Sequence, residues 1–349
     1  MLKINLESYQ ELVANYKKAP VIFQATKYWD SYENKINDEI EQLDPNYIRS
    51  GKYQFLNSFG FRETIFKNLR GLSRLQQFKN NIIRRYTKYG GLHMPYSIDL
   101  SSIREMAFRH CELYGKVTNS KLINTVETTT FGSPEDIFSV QGKKYTMEFL
   151  NFYLRYCFVN NVLQLKGNEI IVELGSGSGH QIEILKRLYP NLTILCFDLP
   201  AQLYACQTYI SNIFNKSEIV GFEETMNCKD TANIEKGKIH FFGNWQIPII
   251  EKLPFDIFWN AASFGEMEPN VVKNYLSFVN NAKSVYLLQA RHGKEDNYAS
   301  GVKKKTSFDD YNRMLSNYSL IEEDDAYYAA KKMDMSGGYF QALWKKSNI

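Results

Sequence analysis

The chain has 349 residues, 44% of them hydrophobic, and its 42 basic and 38 acidic residues leave a net charge of +4. That length suits two domains with a sizeable core, and so even a charge balance gives no electrostatic footprint for nucleic acid, which is not expected as a partner. No apolar run reaches the roughly 18 residues of a membrane span, and the first seven residues lack the uninterrupted apolar stretch of a signal peptide. A cytoplasmic protein with no transmembrane segment is therefore expected. The five cysteines (Cys111, Cys157, Cys196, Cys206 and Cys228) are odd in number and show no CxxC spacing. They read as reduced thiols, not disulfides or zinc ligands.

Taken in chain order, residues 1–165 read as a mainly helical N-terminal domain. Leu6, Tyr9, Leu12, Val13 and Tyr16 recur at the three- and four-residue spacing of an amphipathic helix. Residues 22–43 give a second helical stretch, and a third runs from Met147 towards Leu163. Residues 89–92 and 128–134 are loop-like. Residues 166–349 then alternate strands and helices, as an α/β sheet does. Strands are predicted at 169–174, 192–197, 238–242, 255–259 and 284–289. Helices fall at 181–188, 201–214, 269–281 and 308–315. Two closing β-like runs, 318–323 and 339–345, have no clear helix between them and predict an antiparallel hairpin at the sheet edge.

The strongest signal is Val172-Glu173-Leu174-Gly175-Ser176-Gly177-Ser178-Gly179-His180, which follows a strand and opens a helix. Glycines let the backbone turn sharply and bring its N–H groups close to a ligand, beside the positive end of a helix. A dinucleotide fingerprint requires G-x-G-x-x-G, but its third position, counted from Gly175, is His180. The pattern is E-x-G-x-G-x-G. Its leading carboxylate would repel a pyrophosphate and suit a cationic sulfonium with an amino-acid tail. Asp198 ends the next predicted strand, where a carboxylate can accept both ribose hydroxyls. The bland alternative is that Asp198 caps the following helix. A nicotinamide-dependent oxidoreductase on a related sheet is the competing functional reading.

The order E-L-G-S-G-S-G, then Phe197-Asp198-Leu199-Pro200, resembles class I S-adenosylmethionine-dependent methyltransferases over about residues 165–345. With Gln202-Leu203-Tyr204 and Asn260-Ala261-Ala262-Ser263-Phe264-Gly265-Glu266-Met267 added, the chain resembles the bacterial sugar O-methyltransferases of surface-polysaccharide loci. The resemblance implies a Rossmann-like class I sheet and S-adenosyl-L-methionine as cofactor. It implies that Glu173, Gly175, Ser176, Gly177 and Gly179 hold the methionine portion and Asp198 the ribose, that Leu199 packs on the adenine, and that Gln202 is a further cofactor-binding residue. Asn244 and Trp245 fall where this class lines the adenine pocket, Asn244 standing where many relatives carry aspartate. Asn260, Ala261 and Ser263 would line the same pocket. The activity implied is methylation of a sugar hydroxyl, on a surface polysaccharide or a nucleotide-sugar precursor, with another small-molecule acceptor as the alternative.

A hydroxyl acceptor benefits from a general base, most often histidine. His292 follows the fifth predicted strand, at the sheet edge where ligand sites gather, and is the first candidate. His180 closes the glycine loop and is the second. His110 and His240 read as structural, and His93 has no stronger claim. Glu266, beyond the fourth strand, could orient a base or bind a sugar hydroxyl. Arg291 could hold a phosphate or carboxylate of the acceptor. Tyr145 and the loop 127–135 are further substrate-side candidates. The paired acids Asp309-Asp310 and Asp324-Asp325 fall outside the loops where a catalytic metal would sit, so none is expected. The N-terminal domain is assigned acceptor specificity and, as an open alternative, a homodimer contact.

Overall fold

The computed structural model describes residues 5–25, 33–56, 60, 100–293, 302–326 and 338–347. Helix α1 (Leu6–Lys17) starts where the Asn5 side chain accepts from Glu7 N–H, and buries Tyr9 and Leu12. The stretch read as one helix over 22–43 is not continuous. Val21–Phe23 is a single 3₁₀ turn that Gln24 leaves in extended conformation, and among the described residues of the stretch only Glu33–Glu41 (α2) is α-helical. Pro45 bars its predecessor from the helical region, and Asp44 is extended.

Helix α3 (Leu100–Val117) precedes a small hairpin that sequence patterning did not single out, β1 (Phe138–Val140) with β2 (Lys143–Tyr145). Gln141 and Gly142 join them, both at positive φ, as a twist-compatible two-residue turn requires. Helix α4 (Met147–Leu163) begins where the Thr146 hydroxyl accepts from Phe149 N–H, and ends at Gln164 in left-handed conformation.

The remaining elements are β3 (Ile170–Leu174), α5 (His180–Leu188), β4 (Thr193–Asp198), α6 (Pro200–Ile213), β5 (Ile219–Val220), α7 (Phe222–Thr225), β6 (Ile239–Gly243), β7 (Phe255–Ala261), α8 (Pro269–Ser277), β8 (Ala282–Ala290), α9 (Phe308–Met314), β9 (Tyr318–Asp325) and β10 (Tyr339–Lys346). Eight strands form one sheet in the order β5-β6-β4-β3-β7-β8-β10-β9. Strands β3 to β8 are parallel to their neighbours, while β10 runs antiparallel between β8 and β9. The expected parallel sheet with an antiparallel edge hairpin is the observed architecture.

Alternate residues of each inner strand enter opposite cores. Ile171, Ile194, Phe241, Ile257 and Trp259 join α4, α5 and α6 on one face. Val172, Leu195, Phe242, Phe258 and Val285 join α8 and α9 on the other. The same two cores take in the N-terminal half. Tyr9 of α1 packs on Tyr204 of α6 with ring centroids 5.0 Å apart, and Phe23 is buried with the second core. The division expected at residue 165 therefore does not separate two hydrophobic cores. No helix among the described residues is long and apolar enough to cross a membrane.

A buried polar network ties the halves together. Glu183 on α5 is fully buried and accepts from the Tyr209 hydroxyl at 2.7 Å, Arg187 Nε at 2.9 Å and Thr129 N–H at 3.3 Å. Arg49, also fully buried, donates to the carbonyls of Thr129 and Phe131 and stacks over the Tyr209 ring. The loop 127–135, expected on the substrate side, is thus clamped against α5. Removing one partner from such a network strands the others without water. Glu183→Ala should lower the unfolding free energy by about 3 kcal/mol. Because the core is shared, urea unfolding should remain one transition for the whole chain, measured by circular dichroism and tryptophan fluorescence together.

Candidate functional site

In chain order the sheet grows from β3 through β4 and β6 to one edge, and from β7 through β8 to the other. The switch point lies between β3 and β7, where the loops after the two strands diverge and leave a crevice. A cavity of about 310 Å³ occupies that place, lined by Glu173 to Ser178, Asp198, Leu199, Gln202, Asn244, Ala261, Ala262, Ser263 and Glu266. From outside the predicted set come Phe23, Gln24 and Ala25, the α4 residues Glu148, Phe152 and Arg155, and Met267, Val271 and Tyr275.

The turn after β3 is built for close approach. Gly175 has φ +82°, and a Cβ there would stand 2.5 Å from Ser263 Oγ. Only glycine fits both the left-handed backbone and the contact. Asn260 holds the facing loop in place. Its Nδ2 donates to Leu174 O at 2.7 Å and Ser263 Oγ at 2.6 Å, and its Oδ1 accepts from Gln289 Nε2. Ala262 follows at φ +67°, a left-handed alanine of the strained kind found at functional sites.

Electrostatically the cavity is acidic at its floor. Glu173 is 5% exposed, and its carboxylate makes no hydrogen bond among the described residues. Burial, reinforced by the charge of Asp198, pushes its pKa up to about 8. Asp198 accepts from Gly177 N–H and Leu199 N–H, both at 2.8 Å. Burial still pushes it up to about 7, against those two bonds. Asn244 Nδ2 donates to the Phe23 carbonyl at 2.6 Å and to the Tyr275 hydroxyl at 2.7 Å. A carbonyl can only accept, so the amide nitrogen must face Phe23. Oδ1 then faces the other way, buried and without a hydrogen-bond partner among the described residues, as is Ser176 Oγ. The site therefore offers negative charge and unmet acceptors, the complement of a cationic ligand bearing hydroxyls and an amine.

The structure gathers most of the expected cofactor residues, but not all. Asn260 is fully buried beneath the loop and supports it instead of lining the cavity. Gly179 opens α5, where a Cβ would press on Cys206 and Ile210 of α6. Trp245 packs on Tyr16 and beneath Gly243.

The acceptor-side expectations need more correction. Tyr145 is buried among Phe108, Phe138 and Phe149 and does not line the crevice. Arg291 spends its charge on Glu323 and Asp325 of β9, at 2.6 and 3.2 Å. His292 is exposed and does not line the cavity. His180 is buried behind the glycine turn, bonded through Nδ1 to Ser178 Oγ and stacked on Phe152. Glu266 alone of the proposed catalytic groups reaches the cavity. His240 sits inside β6 against Glu235 O, and His93 lies outside the described residues.

Among the residues missed, those of α4 carry the charge. That helix is apolar or neutral throughout except for Glu148 and Arg155. Two charges on a helix buried nearly all round were the available signal.

No protein-family model matches the chain, and no curated protein matches it. Solved structures similar to part of it include the small RNA methyltransferase HEN1, at 15% identity over 56% of this chain and 25% of that one, TM-score 0.38. Others are the pyocyanin biosynthetic protein PhzM, at 10% identity over 57% of each chain, TM-score 0.37, and a SAM-dependent methyltransferase from Aquifex aeolicus, at 14% identity over 52% of this chain and 83% of that one, TM-score 0.33. The chain thus spans a quarter of the length of HEN1 and little more than half of PhzM.

Gly175→Ala tests the turn. It should destabilise the fold by about 2 kcal/mol, from the left-handed backbone alone, read as a lower urea midpoint, with the added clash on Ser263 deforming the crevice.

Proposed function

We propose that the crevice binds S-adenosyl-L-methionine and that the protein is a methyltransferase acting on a hydroxyl group. The observation that carries this reading is the pair of buried carboxylates, Glu173 and Asp198, flanking the glycine turn and in no ion pair with any described residue. A sulfonium nucleoside with an ammonium-bearing tail meets Glu173, its ribose meets Asp198, and its adenine amine meets Asn244 Oδ1. The pyrophosphate of a nicotinamide dinucleotide would lie against Glu173 instead, which disfavours the oxidoreductase alternative.

When bound, the cofactor supplies an activated methyl group, so the chain must orient the acceptor in line and take its proton. Glu266, which lines the cavity beyond β7, is the residue placed to accept that proton at its carboxylate. The acceptor proposed is a sugar hydroxyl, on the strength of the segments 197–204 and 260–267. Phe23, Phe152 and Met267 give the cavity the apolar surface on which a sugar ring can lie. The even charge balance supports a glycan or small molecule over a nucleic acid.

Calorimetry with S-adenosylhomocysteine and NADH tests the cofactor. Binding of the first and not the second is expected, and the reverse would sink the proposal. Asp198→Ala should weaken binding at least about tenfold. The pH dependence has a defined sign. In the empty site both acids hold protons well above their ordinary range, and a bound cation drives those protons off. Affinity should therefore fall as pH drops below about 8, by roughly tenfold per unit for each proton displaced, and level off above it. Glu266→Gln should spare cofactor affinity and lower turnover by about 10²-fold, measured as methyl transfer to glycan acceptors. Mass spectrometry of surface glycans with and without the protein would then identify the hydroxyl through one missing methyl group.

A further inference from the structure

Helix α4 brings a cation to the crevice that the reading above leaves unused. Glu148, Phe152 and Arg155 recur at the four- and three-residue spacing of one helix face, and all three line the cavity. Arg155 is partly buried. Its guanidinium makes no hydrogen bond or ion pair with any described residue, and it lies over the face of the Phe152 ring, 4.3 Å from the centroid. Stacking of that kind fixes the plane of the guanidinium while leaving its edge donors free. A half-buried cation with unmet donors is costly unless a ligand supplies the acceptor.

Glu173 lines the same cavity and likewise has no hydrogen bond or ion pair with any described residue. The two charges feel each other, Arg155 drawing the Glu173 pKa down against the larger effect of burial, yet they do not join in an ion pair. Two opposite charges that line one cavity without pairing are the complement of a zwitterion. An α-amino acid carries its ammonium and carboxylate on one carbon, so it can meet both with each end against its opposite. An amine without a carboxylate would leave Arg155 unmet, and a phosphate would satisfy Arg155 while opposing Glu173.

We infer that Arg155 binds the carboxylate of the cofactor's amino-acid tail while Glu173 receives its ammonium, so that the N-terminal half of the chain forms one wall of the cofactor site. This rests on the reading of the crevice as an S-adenosylmethionine site. Guanidinium and carboxylate match as a two-pronged hydrogen-bonded pair. The geometry makes α4 a clamp on the tail, and Phe152 a positioning residue that holds Arg155 flat.

The test is calorimetric and needs no turnover. S-adenosylhomocysteine is compared with 5′-(3-aminopropylthio)-5′-deoxyadenosine, the same molecule without its carboxylate, on the full chain and on Arg155→Met and Arg155→Lys. The natural chain should prefer the carboxylate-bearing ligand at least about tenfold. Arg155→Met should erase that preference by weakening only that ligand, and Arg155→Lys, which keeps charge but not the paired donors, should fall between. Circular dichroism confirms that each variant is folded, and Arg155→Lys carries the comparison if Arg155→Met is not. Equal binding of the two ligands to the natural chain would overturn the inference, as would an Arg155→Met variant that loses both ligands alike. Failure of the natural chain to bind either ligand would instead refute the cofactor reading itself.

Discussion

Glu173 and Asp198 lie on neighbouring parallel strands, near the carboxyl ends of β3 and β4, and both are buried. Two carboxylates so placed cannot be charged together at neutral pH without a cation. The described residues supply none in contact: among them Asp198 has only backbone N–H groups, and Glu173 has no hydrogen bond. Holding these groups in reserve costs folding energy that a positively charged ligand returns. The glycine turn, the strained Ala262 and the Asn260 brace beneath them all serve to keep this acidic floor open and close to a ligand's atoms.

The N-terminal half belongs to the same construction. Its helices contribute to both cores of the sheet domain, and the Phe23 carbonyl orients the Asn244 amide. That contact fixes which way the amide faces. Its nitrogen is committed to the backbone of the N-terminal segment, and its oxygen is left as a fixed acceptor. A ligand in the crevice would therefore touch elements distant in the chain, from Phe23 to Tyr275, and would tie them together.

On the acceptor side, β8 and the hairpin explain why its most inviting residues are absent from the site. Arg291 and His292 follow directly on β8, but β10 pairs with β8 along its length and places Glu323 and Asp325 of β9 against Arg291. The arginine is neutralised there, and the histidine beside it faces solvent. The loop after β7 turns inward instead, and so Glu266 reaches the cavity.

The sheet was legible in the sequence because its signals are local. Apolar runs of five to eight residues, glycines at a strand end and a proline opening α6 each act within a few residues. The strands and helices predicted after residue 168 accordingly fall where patterning puts them, while the short β5 and α7 escaped it, and Glu173, Gly175 and Asp198 stand out for the same reason. The 22–43 stretch misled because its helical spacing does not register the extended breaks around Gln24 and Asp44. What the chain could not reveal locally was decided by packing between distant segments. Which charges meet partners and which stay unmet depends on neighbours tens to hundreds of residues away: Arg291 finds β9, Tyr145 vanishes into a core, and Arg155 and Glu173 line one crevice without pairing. Periodicity can place a side chain on a face of its helix, but only the tertiary structure determines what that face meets.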